Sequence, residues 1–241
     1  MATAAPADGR NDLDGGPPWR EVASLRDDPE LFTLVRRAAA LGKARARELL
    51  KDRRPRPEAE REVGPEALDA LLRGGGDRSD IRTDPHIADC VVFHAAGFAT
   101  SLLEEEVRRL RLRIHRVVRR RCRPLFVSAR RWRMDVSGHL LYPPGGFMGW
   151  HSNSRVPGWR LYLSFAEEPG RSWFRNRDPD SGEVVTSWDR GFDARLFRVD
   201  PARPLWHAVH SETWRTSMGW RVWPGDGGWL RKGVRDLFRA C

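Results

Sequence analysis

Two hydrophobic periods divide this chain. Leu31, Leu34, Val35, Ala38, Leu41 and Leu49 recur three or four residues apart or in phase with that spacing, which marks one apolar helix face, and Ser24 and Asp28 stand ahead of it as capping residues. The stretch RRPRPEAEREVGPE then ends the helix, because prolines and a charge run cannot continue a packed helical face. Pro65 opens a short helix through Leu72, closed by Gly74, Gly75 and Gly76, and GGGDRSD reads as a linker. The first 17 or so residues, rich in Gly, Pro and mixed charge, read as disordered. Residues 1–80 are therefore expected to be a poorly ordered or helical N-terminal extension, separate from a main unit over residues 81–241.

The pattern changes near residue 86. IADCVVFHAAGF is apolar enough for a buried strand or turn. Leu103, Val107, Leu110, Ile114 and Val117 then recur at steps of four and three, marking a second amphipathic helix. After Pro124 the period becomes two. FVSARRWRMDV, HLLY and WRLYLSFAEE read as strands, and SWFRNRDPDSGEVVTSWD reads as a hairpin turning at DPDSG. ARLFRVD, PLWHAVHS and TSMGWRVW follow as further short strands. Many short strands after a helix predict a mainly β fold with flanking helices, a double-sheet jelly roll.

Composition narrows the class. A chain of 241 residues can hold one full core plus an appendage. No apolar run reaches the roughly 20 residues needed to span a bilayer. MATAAPADGRNDLDGG lacks an apolar segment and carries acids early, which argues against a signal or transit peptide. Cys90, Cys122 and Cys241 have no metal-like spacing and read as reduced thiols, so an intracellular, cytoplasmic setting is expected. Ten of the eleven tryptophans lie from Trp132 onward; large core and hairpin-pair roles account for most of them.

Charge is unevenly placed. Residues 1–80 hold 15 Lys/Arg against 16 Asp/Glu, a net of −1, so the remainder carries +11 and the whole chain +10. Twelve arginines fall between Arg108 and Arg133. Such runs usually form solvated helix faces; the sharper alternative is a surface that attracts phosphate or another anion, including an anionic or nucleic-acid substrate.

The chemistry concentrates in two segments, YPPGGFMGWHSN (residues 142–153) and WHAVHSETWRTS (residues 206–217). His151 and Asn153 are two apart, so on a strand they share a face. His207 follows after a gap long enough for several strands to return beside them. Two imidazoles and one oxygen on a single face, with open positions opposite, are what a mononuclear Fe(II) centre requires. A 2-oxoacid cosubstrate would also need a buried cation and a hydroxyl. Arg215 and Ser217 sit two apart and just past His207, and Tyr142 offers a second hydroxyl. Pro143 and Pro144 followed by Gly145 and Gly146 form a turn that also lets substrate approach. His210 competes with His207, but on a strand the two face opposite ways. His86, His94, His115 and His139 read as structural or exposed.

Y-x-x-G-G-F-x-x-x-H-x-N, a long gap, then H-x-x-x-x-x-x-x-R-x-S resembles the 2-oxoglutarate and Fe(II)-dependent dioxygenases, in local motif the prolyl-hydroxylase-like branch. The resemblance covers roughly residues 86–225 and implies a double-stranded β-helix with iron at its open end. It further implies His151 and His207 as iron ligands with position 153 as the third, Arg215 anchoring 2-oxoglutarate, and Tyr142 and Ser217 assisting, with O₂ as the other cosubstrate. Arg215 and Arg221 are also similar in spacing to the arginine pair of AlkB-type nucleic-acid demethylases.

Position 153 departs from the pattern, because a carboxylate is expected there. Asn153 offers a neutral oxygen and less attraction for Fe(II). Three readings stay open: Asn153 ligates iron, iron is held by two histidines and exogenous ligands, or the site is a metal-poor relic. Asp178, Asp189 and Asp193 fall in hairpin or loop positions, with no spacing that brings them to the site. The rival class is a non-catalytic jelly-roll module whose basic face binds nucleic acid or an acidic partner.

Overall fold

A computed structural model describes residues 19–54, 56, 59–76, 78–79, 87–95, 105–126 and 132–224. The segment expected to be disordered before residue 18 and the last tryptophan, Trp229, lie outside these residues. In chain order the described residues form β1 (Trp19–Glu21), α1 (Ala23–Arg26), α2 (Pro29–Leu49), α3 (Ala59–Val63) and α4 (Pro65–Arg73). There follow β2 (Ala88–Asp89), β3 (Val91–Ala95), α5 (Glu105–Cys122), β4 (Trp132–Tyr142), β5 (Gly146–His151) and β6 (Gly158–Ala166). The last five strands are β7 (Ser172–Arg177), β8 (Val184–Trp188), β9 (Phe192–Val199), β10 (His207–Ser211) and β11 (Arg215–Pro224).

The strands make two antiparallel sheets, one of six in the order β1-β9-β6-β11-β4-β3 and one of five in the order β2-β5-β10-β7-β8. This is the expected mainly β jelly roll with flanking helices. Where the sequence suggested two strands, FVSARRWRMDV and HLLY, the structure has one eleven-residue strand, β4, carried through Gly138. It also adds the five-residue helix α3 inside the stretch read as a break.

Helix α2 begins where its capping residue predicted. The Asp28 side chain accepts from the Leu31 backbone N–H at 3.0 Å and Pro29 occupies the first turn. A cap of this kind stabilises by about 1 kcal/mol. Its apolar face, with Ile114 and Val118 of α5, packs on Leu161, Leu163, Trp220 and Val222 of the six-stranded sheet. Helices α3 and α4 lie against the five-stranded sheet instead, where Val63 and Leu68 meet Phe147, Trp150, Trp173 and Trp206. The Trp150 indole N–H donates to the Gly64 carbonyl at 2.8 Å, tying the junction of those helices to β5. The N-terminal helices thus cover both sheets, and β1 extends the larger one through β9.

Strand alternation decides what lies between the sheets. On β6, Trp159, Leu161 and Leu163 face the helices, while Tyr162 and Ser164 face inward. The inner wall combines apolar side chains (Tyr142, Met148, Phe174, Phe197, Val209) with buried polar ones (His151, Ser164, Arg195, His207, Arg215, Ser217). Burying so many polar groups is costly unless they have partners, so this interior is a site rather than a dry core.

Candidate functional site

Strands β5 and β10 pair antiparallel with His151 and His207 as register partners, so both imidazoles point into the space between the sheets. Their ring centroids are 4.0 Å apart. His151 Nδ1 lies 2.8 Å from the Gly149 carbonyl oxygen, and His207 Nδ1 lies 2.9 Å from that of Leu205. A carbonyl only accepts, so each Nδ1 carries the proton and each Nε2 is the unprotonated nitrogen. Burial depresses the His151 pKa to about 4, against the raising effect of the Gly149 bond and with help from Arg78. Burial, then His151 and Arg160, hold His207 well below the usual imidazole range. Both rings are therefore neutral near pH 7, the form that binds metals. Phe174 and Phe197 pack against His207, at centroid distances of 5.6 and 5.1 Å.

Asn153 reaches the same place by a different route from the one expected. Strand β5 ends at His151, and Asn153 has φ 55°, in the left-handed region; it is the only non-glycine with positive φ among the described residues. A turn, not strand alternation, brings its amide to His207, with Nδ2 3.3 Å from Nε2. Asn tolerates this conformation better than most residues. Turning the amide over would present Oδ1 at the same point. Among the described residues no group of three His, Cys, Asp or Glu side chains converges on a point, and the side chain at 3.3 Å from His207 Nε2 is the neutral amide of Asn153.

The other expected residues line one cavity with the two histidines. Tyr142 and Arg215 are register partners on β4 and β11, and the guanidinium carbon sits 5.4 Å from the phenol ring centroid. Burial raises the Tyr142 pKa well above its ordinary value, so its hydroxyl remains a donor. Ser217 lies two residues along β11 on the same wall. His210 points the other way, against Trp173 at 5.6 Å. Arg221 is the register partner of Arg160 and lies outside the cavity lining. His115 accepts a hydrogen bond from the Trp220 indole at 3.0 Å, while His86 lies outside the described residues.

Two charged residues were not expected at this site: Arg195, which lines the cavity, and Asp189, which accepts from Arg195 and Arg215. Asp189, read from sequence as a loop acid with no route to the site, is 1% exposed and bridges two arginines. Arg215 Nε donates to its Oδ2 at 2.7 Å, and Arg195 Nη1 donates to its Oδ1 at 2.7 Å. Burial acts to raise the Asp189 carboxyl, but both guanidinium charges and the bonds from Arg215 and Ser172 outweigh it and hold it far below the usual carboxylate range. Asp193 is likewise buried and belongs to β9 rather than to a loop. The available signal was the i, i+2 spacing of Asp193 and Arg195. It was uninformative because both faces of β9 are buried through Phe197.

No protein-family model matches the chain, and no curated protein matches it. Solved structures do. A Pseudomonas putida prolyl-4-hydroxylase aligns at 15% identity over 87% of this chain and 95% of that one, with a TM-score of 0.46. A Trichoplax adhaerens prolyl hydroxylase in complex with a hypoxia inducible factor peptide fragment aligns at 12% over 89% and 86%, with a TM-score of 0.47. An oxidoreductase of the 2OG-Fe(II) oxygenase family from Burkholderia pseudomallei aligns at 12% over 67% and 91%, with a TM-score of 0.39. Likeness at this level leaves the reaction to be read from this chain's own residues.

Proposed function

We propose that the protein is an Fe(II)- and 2-oxoglutarate-dependent oxygenase that hydroxylates a C–H bond of its substrate. One observation carries this reading: two neutral, buried imidazoles, each with Nδ1 held by a backbone carbonyl and Nε2 unprotonated, share a cavity with a buried arginine. His151, His207 and Asn153 would hold the metal. The donor set fits a divalent ion in type, since both Nδ1 protons are already engaged by carbonyls, but the neutral amide supplies no charge. Iron with 2-oxoglutarate and O₂ would supply the oxidising chemistry at the C–H bond, releasing succinate and CO₂.

The protein's part is binding and orientation. Arg215 offers its guanidinium to the distal carboxylate of 2-oxoglutarate, while Asp189 fixes that guanidinium by accepting from Nε. Tyr142 and Ser217 offer hydroxyls along the same wall. Phe174 and Phe197 keep water from the inner side of His207.

The test is succinate release from 2-oxoglutarate with Fe(II) under air. His151→Ala and His207→Ala are expected to abolish it; undiminished turnover by either variant would sink the reading. A second reading, a binding module without catalysis, is favoured by the neutral amide and by α5, whose exposed face carries Arg116, Arg119 and Arg120. Steeply salt-dependent binding of nucleic acid, with no response to metal or 2-oxoglutarate, would identify that alternative.

A further inference from the structure

The inner end of the cavity carries more positive charge than one anchoring arginine requires. Arg195 on β9 and Arg215 on β11 are each 2% exposed, and both line the cavity. Asp189 is their common partner, and its capacity is further used by the Ser172 hydroxyl, which donates to Oδ2 at 2.6 Å. Arg195 Nη1 also donates to the Ser164 hydroxyl at 3.1 Å. Asp193, the next carboxylate, accepts from the backbone N–H and guanidinium of Arg190. It stands 3.8 Å from Arg195 Nη2, beyond hydrogen-bonding distance.

Among the described residues, three buried guanidinium nitrogens have no hydrogen-bond partner: Arg195 Nε, Arg195 Nη2 and Arg215 Nη1. Asp189 is hydrogen-bonded to both cations, and Asp193 adds a second negative charge 3.8 Å from Arg195 that Arg190 also engages. Buried N–H groups without acceptors are costly, and buried charge without compensation is costlier. Three such nitrogens on two groups in the wall of one cavity describe an acceptor that belongs in it. One carboxylate meets that need, with two oxygens for planar donors.

We propose that Arg195 is a second anion anchor, and that the inner end of the cavity holds the distal carboxylate of a dicarboxylate between Arg195 and Arg215. The proposal deepens the 2-oxoglutarate reading and rests on it for the other end of the ligand; the clamp itself needs only the carboxylate. It makes Arg195 a specificity residue. A monocarboxylic 2-oxoacid would leave both guanidinium groups as they are, and so would be rejected.

Calorimetry on metal-free protein with glutarate, which has two carboxylates and no 2-oxo group, separates the clamp from the metal. The wild type is expected to bind glutarate and not its uncharged diamide, which keeps the length and loses the carboxylates. Arg195→Met is expected to weaken glutarate binding by about 10- to 100-fold, the scale of hydrogen bonds to charged groups. Arg195→Lys, which keeps a charge but loses the fork and is the variant to use if the Met protein does not fold, is expected to bind about tenfold more weakly than wild type. Arg198→Met, on the exposed side of β9, should bind like the wild type. Glutarate binding at wild-type affinity by either Arg195 variant overturns the proposal and leaves the oxygenase reading standing. Failure of the folded wild type to bind glutarate also overturns it. Arg195-dependent glutarate binding in a protein that takes up no Fe(II) supports the clamp and counts against the oxygenase reading instead.

Discussion

His151 and His207 face each other across the β5–β10 ladder, and each engages the carbonyl two residues before it, Gly149 at 2.8 Å and Leu205 at 2.9 Å. The two rings therefore present the same tautomer to the cavity. Each is held by its own strand's backbone, so the arrangement needs no ligand to form.

A first expectation concerns metal affinity. Loss of either imidazole should remove Fe(II) or Co(II) uptake measured by anaerobic calorimetry. Asn153→Asp, which suits the same left-handed turn, should tighten uptake by about tenfold or more, or about 1.4 kcal/mol, because a carboxylate adds charge attraction to an otherwise neutral donor set. Equal affinity in wild type and Asn153→Asp would place position 153 outside the coordination sphere.

Asp189 carries a structural demand. With Arg195 and Arg215 both bonded to it and all three buried, Asp189→Asn leaves two guanidinium groups without their counter-charge. Breaking a buried pair this way costs about 3–5 kcal/mol, readable as a lower denaturation midpoint. Because the Asp189 carboxyl is depressed in the fold, its contribution is complete above the ordinary carboxylate pKa and is lost as pH falls below it. The variant's stability should accordingly change less with pH in acid than the wild type's.

His139 predicts a second pH dependence in a milder range. It is fully buried, neither ring nitrogen has a hydrogen-bond partner among the described residues, and burial together with Arg111 and His94 lowers its pKa to about 3. The unfolded chain binds that proton near pH 6.5, so stability is whole above this value and falls as pH drops toward 3. His139 alone contributes a slope of up to about 1.4 kcal/mol per pH unit there. His139→Phe should reduce the slope; an unchanged profile from pH 6 to 4 would contradict the assignment.

Arg111 offers the opposite kind of test. It is 7% exposed on α5, and its Nε and Nη2 have no hydrogen-bond partner among the described residues. Burial lowers its pKa to about 10. Arg111→Met keeps the length and removes the buried charge, so the denaturation midpoint should hold or rise. A loss of about 2 kcal/mol or more would mean that the guanidinium has a stabilising partner.

Much of the architecture was legible because local periods carry it. Leu31 to Ala38 and Val107 to Val117 announced helices, and alternation along WRLYLSFAEE announced β6. The turn of the β7–β8 hairpin was legible as well: the Asp178 carboxylate accepts from the backbone N–H groups of Asp180 and Ser181. Residues 59–63 were harder, since α3 is one charged turn whose only anchors, Ala59 and Val63, are met by the distant five-stranded sheet.

By itself the sequence determined the donor types and their local spacing: His151 before Asn153, and His207 before Arg215 and Ser217. Alternation sufficed to set His207 inward and His210 outward, because a strand reverses its side chains at every step. Tertiary structure decided the rest. Arg195 and Arg215 meet at Asp189 only because β9 and β11 flank β6 in the larger sheet. Asn153 reaches His207 only through a left-handed turn that no period encodes. Both are long-range outcomes, and a charge on a strand buried on both faces does not reveal its partner until the strand order is known.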